Sequence, residues 1–188
     1  MKRFSVLSAI LCLCLCTVMS QARPSFFEEH IDFTLDPQYF TINGIYSFKN
    51  SSNDTLTHTV FFPFAHETSA IDTIRIVNLN TPGMMNFRRF GNMVSFSITV
   101  APNDTTDVNV YYRQKTAVSN RYILTSTQSW GEPLAKAVYT LRVDKGLNVK
   151  SFFCVPDSVR ILGNSQLYYW NKTRFMPQKD FEILLSEP

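Results

Sequence analysis

Apolar and polar residues alternate with a period of two along most of the chain. Phe40, Ile42, Gly44, Tyr46 and Phe48 interleave with Thr41, Asn43, Ile45, Ser47 and Lys49. Successive side chains of a strand point to opposite faces, so the first set is expected to face a core and the second mostly water. Asn50-Ser51-Ser52-Asn53-Asp54 then supplies turn residues. Leu56, His58, Val60, Phe62 and Phe64 resume the alternation, and Pro63 ends this strand or places it at an edge.

The same grammar recurs downstream. Ile74 and Ile76 mark a short strand closed by Asn80-Thr81-Pro82-Gly83, and Val94, Phe96, Ile98 and Val100 form one side of the next, with Ser95, Ser97 and Thr99 on the other. Pro102-Asn103-Asp104 leads into Val108, Val110 and Tyr112, which reads as the return strand of a hairpin. Ala137, Tyr139, Leu141 and Val143 alternate with Lys136, Val138, Thr140 and Arg142; Lys145-Gly146 turns into 149–155. Val159 to Leu162 and Gln166 to Trp170 flank Gly163-Asn164, a two-residue turn, and Phe181, Ile183 and Leu185 close the chain. Only Pro133 to Ala137 has helix-friendly composition, and strand-prone Val138-Tyr139-Thr140 follows it. The expected class is all-β: an antiparallel, immunoglobulin-like β-sandwich. The rival is a closed barrel; an outer-membrane one would need strands of about 10 residues with a lipid-facing apolar face. The large residues here are mainly Phe and Tyr in short strands, which fits a packed core.

The first residues obey a different rule. Met1-Lys2-Arg3 is positive, Phe4 to Val18 is uncharged, and Ser20-Gln21-Ala22 offers small residues where a signal peptidase reads. A bilayer span needs roughly 20 apolar residues, so the reading is a cleaved secretory signal over 1–22 and one sandwich domain over 23–188. Lipidation at Cys12, Cys14 or Cys16 is the minor alternative, because leucine rather than a small residue precedes each. Removing the signal takes three of the four cysteines, leaving Cys154 in an apolar run and no intramolecular disulfide. It also takes two of the 18 basic residues, which leaves 16 against 15 acidic ones. A nearly neutral domain without a Lys/Arg cluster is a poor partner for nucleic acid. No second apolar segment is long enough to span a membrane.

Candidate chemistry is sparse. His30, His58 and His66 show no ligand spacing, and no acidic or cysteine set completes a metal site. Neither Ser119 nor Ser129 has the glycines of a nucleophile elbow, and Asp72, Asp104, Asp107 and Asp144 are scattered. No cofactor is implied. Asn-x-Ser/Thr triplets begin at Asn50, Asn53, Asn103 and Asn171, each expected in a loop. The most distinctive stretch is Tyr122 to Thr127 followed by Trp130-Gly131-Glu132-Pro133, a rigid corner able to present an aromatic platform or to plug the core. With Tyr168-Tyr169-Trp170 it gives the candidate binding residues Trp130, Tyr122 and Trp170.

Gly44-x-Tyr46-x-Phe48-x-Asn50, Phe62-Pro63-Phe64, Val108-x-Val110-Tyr111-Tyr112 and the Trp-Gly corner together resemble the N-terminal β-domain of gluzincin aminopeptidases. The same motifs, with Tyr169-Trp170 and Phe175-x-Pro177-x-x-Asp180, resemble exported bacterial β-sandwich proteins of unassigned role. The resemblance implies a sandwich and export; it implies no activity, since the aminopeptidases carry their zinc in a separate following domain. The expected role is an exported, non-catalytic binding or structural module that meets a protein or glycan at the cell envelope, secreted or periplasmic. A hydrolase or carbohydrate-active enzyme with a site gathered from loops is one alternative. An accessory subunit of a secreted complex, recognisable by an unpaired edge strand, is the other.

Overall fold

The computed structural model describes residues 22–81 and 83–186. The signal segment, with Cys12, Cys14 and Cys16, lies outside the described residues apart from Ala22. The strands are β1 (Ser25–Leu35), β2 (Tyr39–Lys49), β3 (Leu56–Pro63), β4 (Ile71–Asn78), β5 (Arg88–Phe90), β6 (Met93–Val100), β7 (Thr105–Lys115), β8 (Ser119–Tyr122), β9 (Leu134–Asp144), β10 (Val149–Phe152), β11 (Ser158–Leu162), β12 (Ser165–Phe175) and β13 (Phe181–Leu185). Two 3₁₀ turns, Thr68–Ala70 and Thr125–Trp130, are the helical elements among the described residues. The protein is an all-β sandwich.

A seven-stranded sheet, ordered β11-β12-β9-β1-β2-β7-β4, forms one layer, and the sheets β3-β6-β5 and β10-β13-β8 form the other. The strand pairs are antiparallel except β1 with β9, which run parallel from Glu28↔Lys136 to Leu35↔Val143. Phe33 of β1 stacks on Phe181 of β13 with centroids 4.1 Å apart, and Tyr46 of β2 meets Phe62 of β3 edge-on at 5.4 Å. Each small sheet therefore covers its own half of the large one. Their free edges, β3 and β8, meet along a seam where Phe62 lies 6.3 Å from Tyr122.

One expected pairing is different. β6 and β7 do not form a hairpin: β6 pairs with β3 and β5, whereas β7 pairs with β2 and β4. Pro102-Asn103-Asp104 carries the chain from one layer to the other, as 50–54 does between β2 and β3. Asn50, 1% exposed, joins the two crossings. Its Nδ2 donates to the carbonyls of Asp54, Val100 and Ala101 at 2.7, 3.1 and 3.0 Å, and its Oδ1 accepts from the backbone N and Oγ of Ser52, both at 2.8 Å. The nitrogen that a glycan would need is thus buried and occupied. Asn53 and Asn103 are exposed loop residues, but Asn171 is an exposed position within strand β12 rather than in a loop.

Residues 134–137, the helix-friendly stretch, form the start of β9, where Leu134 and Ala137 are fully buried. Cys154 is half-buried, packs against the core, and its thiol is pushed up mainly by burial, as an inert apolar filler would be. The hairpin β11–β12 turns at Gly163 with φ +57°, where glycine meets no side-chain penalty. Among the described residues no helix is long and apolar enough to cross a membrane.

Candidate functional site

The site begins with an irregularity in β1. The β1–β2 register slips between Phe26 and Glu28, leaving Phe27 as an extra residue. A bulge re-aims the side chains beyond it. Phe26 points inward, but after the bulge the inward residues are Glu29, Ile31, Phe33 and Leu35. A carboxylate is thereby turned into the core: Glu29 is 4% exposed, directly across from Tyr46 on β2.

Three tyrosines gather around it. Tyr139 of β9 donates its hydroxyl hydrogen to Glu29 Oε1 at 2.5 Å. The hydroxyls of Tyr46 and Tyr122 hydrogen-bond each other at 2.8 Å. Burial raises all three phenols well above their ordinary range, and the Glu29 carboxylate adds to this, so they stay neutral. Among the described residues the ion pairs are Arg113–Asp72 and Lys172–Asp157, His30 lies 3.5 Å from Asp32, and none of these contacts involves Glu29. Lacking a cation, its carboxyl is pushed by burial to about 7, with the Tyr139 hydrogen bond opposing. Its second oxygen has no hydrogen-bond partner among the described residues.

Gly44 lets Tyr46 take this pose. A Cβ on Gly44 would stand 2.7 Å from two carbons of the Tyr46 ring, which leans back over the glycine. Gly44→Ala is therefore expected to cost about 2 kcal/mol through overpacking. Tyr46→Leu carries its own cost, so the test is the cost of Gly44→Ala within a Tyr46→Leu background, where the ring is gone and the added methyl should cost little. An equal cost in both backgrounds, read by urea denaturation, would contradict this.

Glu29, Tyr46 and Tyr122 line a cleft of about 40 Å³ at the seam, walled by Phe48, Phe62 and Trp130. Trp130 ends the 3₁₀ turn whose Ser126 and Thr127 complete the rim. The turn is pinned by Asp180, which accepts from the Thr125 backbone N at 3.1 Å and Oγ1 at 2.7 Å, and by Gln128 donating to the Pro177 carbonyl at 2.7 Å. Gly131, at φ +83°, ends it in the left-handed conformation that favours glycine. Arg23 donates to the carbonyls of Ser129 and Trp130 at 3.2 and 2.9 Å and lies over the indole at 5.5 Å. Half-buried Trp130 also packs on Phe26, Phe48 and His58, and burial, then Arg23, holds His58 below its ordinary range.

Of the three residues expected to bind, Trp130 and Tyr122 meet at this cleft. Tyr122 is buried and contributes its hydroxyl rather than an exposed ring. Trp170 lies elsewhere, fully buried among Phe152, Phe153 and Phe181, with Nε1 donating to the Cys154 carbonyl at 3.1 Å. Sequence reading missed Glu29. Its signal was an acidic residue in phase with Ile31, Phe33 and Leu35. His66 and Glu67 are exposed beyond the end of β3, and among the described residues no three His, Cys, Asp or Glu side chains group as metal ligands do.

No protein-family model matches the chain, and no curated protein matches it. Solved structures do. A proposed nutrient-binding protein from Legionella pneumophila aligns over 88% of this chain and 68% of its own, with TM-score 0.68 and 16% identity. An M1 zinc metallopeptidase from Deinococcus radiodurans aligns over 87% of this chain at TM-score 0.51 and 8% identity. This chain spans 42% of that enzyme's length. At such identities the likeness is one of fold, and it bears out the resemblance to the β-domain of gluzincin aminopeptidases.

Proposed function

We propose that the protein is an exported, non-catalytic binding module of the cell envelope that takes a ligand in the cleft between its two small sheets. One observation carries this reading: Glu29, buried without a cationic partner, is aimed into an aromatic-walled opening. Buried charges are normally paired, and a convergent polar group in an apolar cleft is how small-molecule sites are built. The nutrient-binding role proposed for the Legionella protein agrees with binding, and the signal over 1–22 supports export. N-terminal sequencing of envelope material should begin at Arg23. Native mass spectrometry of that material should show a small molecule that Trp130→Ala fails to retain. A ligand-free protein, or a ligand retained unchanged by Trp130→Ala, would contradict the reading.

A second reading, an accessory subunit of a secreted complex, is favoured by β11. This edge strand is exposed along its whole length, with Val159, Ile161 and Leu162 at 52%, 73% and 55%. Such edges invite pairing. Gel filtration of envelope extract at a mass well above that of a single chain, which is 21.6 kDa before the signal is removed, would support it, and elution as a monomer would remove it.

A further inference from the structure

We infer that the ligand is a primary alkylammonium whose charged end sits on the free oxygen of Glu29, between Tyr46, Tyr122 and Trp130. This rests on the reading of the cleft as the binding site and adds the chemistry of what enters it. Charge comes first. A carboxylate 4% exposed and without an ion pair is a site waiting for a positive group, because an ammonium would supply the missing partner and hydrogen bonds at once. Tyr139 already occupies Oε1, so the vacant oxygen is where an N–H would point.

The walls say the same. Phe48, Phe62 and Trp130 are among the walls, aromatic rings attract cations, and the indole of Trp130 already carries the Arg23 guanidinium. Size narrows the class. A water needs roughly 10–15 Å³ of such space, so a cleft of about 40 Å³ admits the tip of a chain, such as a terminal CH₂–NH₃⁺, but not a ring. A divalent metal is a poor fit, since it wants several oxygen or nitrogen ligands, and the described residues gather one carboxylate with phenols. The groups facing Glu29 are Tyr46 from β2, Tyr122 from β8 and Tyr139 from β9, all neutral. At the rim stand the Arg23 guanidinium and His58, the latter held below its ordinary range by burial and then by Arg23. Between pH 6.5 and 8, Glu29 goes from mostly protonated to mostly ionised, and the α-amino group that signal removal would leave on Arg23 begins to lose its charge. The pH dependence assigned to Glu29 is therefore the part that Glu29→Gln removes. An alkylammonium stays charged throughout, with a pKa of about 10.

The probes are n-butylammonium chloride and n-butanol, matched in shape and differing in charge, with the tryptophan emission of the protein as the readout. The amine should change the emission saturably, and the alcohol should not at the same concentrations. Glu29→Gln should weaken amine binding at least tenfold while its melting temperature stays at or above that of the wild type. Wild-type affinity should rise about tenfold from pH 6 to pH 8, as Glu29 ionises. Equal responses to amine and alcohol, or full amine binding by Glu29→Gln, would overturn the inference. If native mass spectrometry finds a Trp130-dependent ligand while neither probe binds, the ammonium inference falls and the binding reading stands. If no ligand and no response are found, both fall.

Discussion

Glu29→Gln is expected to stabilise the ligand-free protein at pH 8 by about 2–3 kcal/mol and to remove a pH dependence that the wild type shows. The folded protein raises the Glu29 carboxyl from 4.5 to about 7, so the folded state holds this proton more tightly than the unfolded chain. The sign follows: the contribution is intact below pH 4.5, and stability is lost as pH rises through 7. A tenfold difference in proton affinity between the two states corresponds to about 1.4 kcal/mol, so wild-type stability should fall by about 3 kcal/mol between pH 4.5 and 8 from this group. Other groups pull the opposite way. His58 is held down, so its contribution is present above pH 6.5 and is lost as pH falls below it, and Asp72 and Asp157 are held down by their Arg113 and Asn171/Lys172 partners, so theirs is lost in stronger acid. The difference between wild type and Glu29→Gln cancels them. Glutamine keeps an acceptor for Tyr139, and its amide donors lower the gain slightly. Urea denaturation across this range would read the effect; parallel profiles would show that Glu29 is not buried and uncompensated.

Trp170→Ala is expected to cost about 3–5 kcal/mol, the usual loss for a fully enclosed tryptophan. The ring is 0% exposed and packs against Phe181 at 5.2 Å and Phe153 at 5.7 Å, so truncation leaves a cavity where β12 meets β10 and β13. The melting temperature should drop by about 10 °C or more. Trp130→Ala, at a half-exposed rim, should cost less and act on ligand retention instead. Similar melting temperatures for the two variants would contradict the division of the tryptophans into one for the core and one for the cleft.

The strands were legible where alternation was uninterrupted. β2, β3, β6, β7, β9 and β13 lie where period two put them, because each buries one face against the other layer. Pairing was not legible. The polar loop 102–104 looks like a hairpin turn, yet its length suits a crossing between layers equally well, and the Asn50 hydrogen bonds that decide this come from residues about 50 apart in sequence. β1 escaped notice because the bulge at Phe27 breaks its phase and Glu28-Glu29-His30 masks its apolar face. The parallel partnership of β1 with β9 leaves no local trace at all.

Half of the cleft was legible. Trp130 and Tyr122 stood out because a Trp-Gly-x-Pro corner is rare, and they do meet. Trp170 misled because composition cannot tell which face of β12 the large sheet turns inward. Glu29 was hidden for a physical reason: a charged residue ordinarily reports a solvent face, and here it marks the core.

The cleft, its ligand chemistry and the pH dependence all turn on one carboxyl. A carbon-13 NMR titration of the Glu29 side-chain carboxyl in the ligand-free protein tests it most directly. A midpoint near 7 is predicted, well above the ordinary 4.5. A midpoint at or below 4.5 would mean that Glu29 is solvated or already paired, and it would contradict the cleft as described.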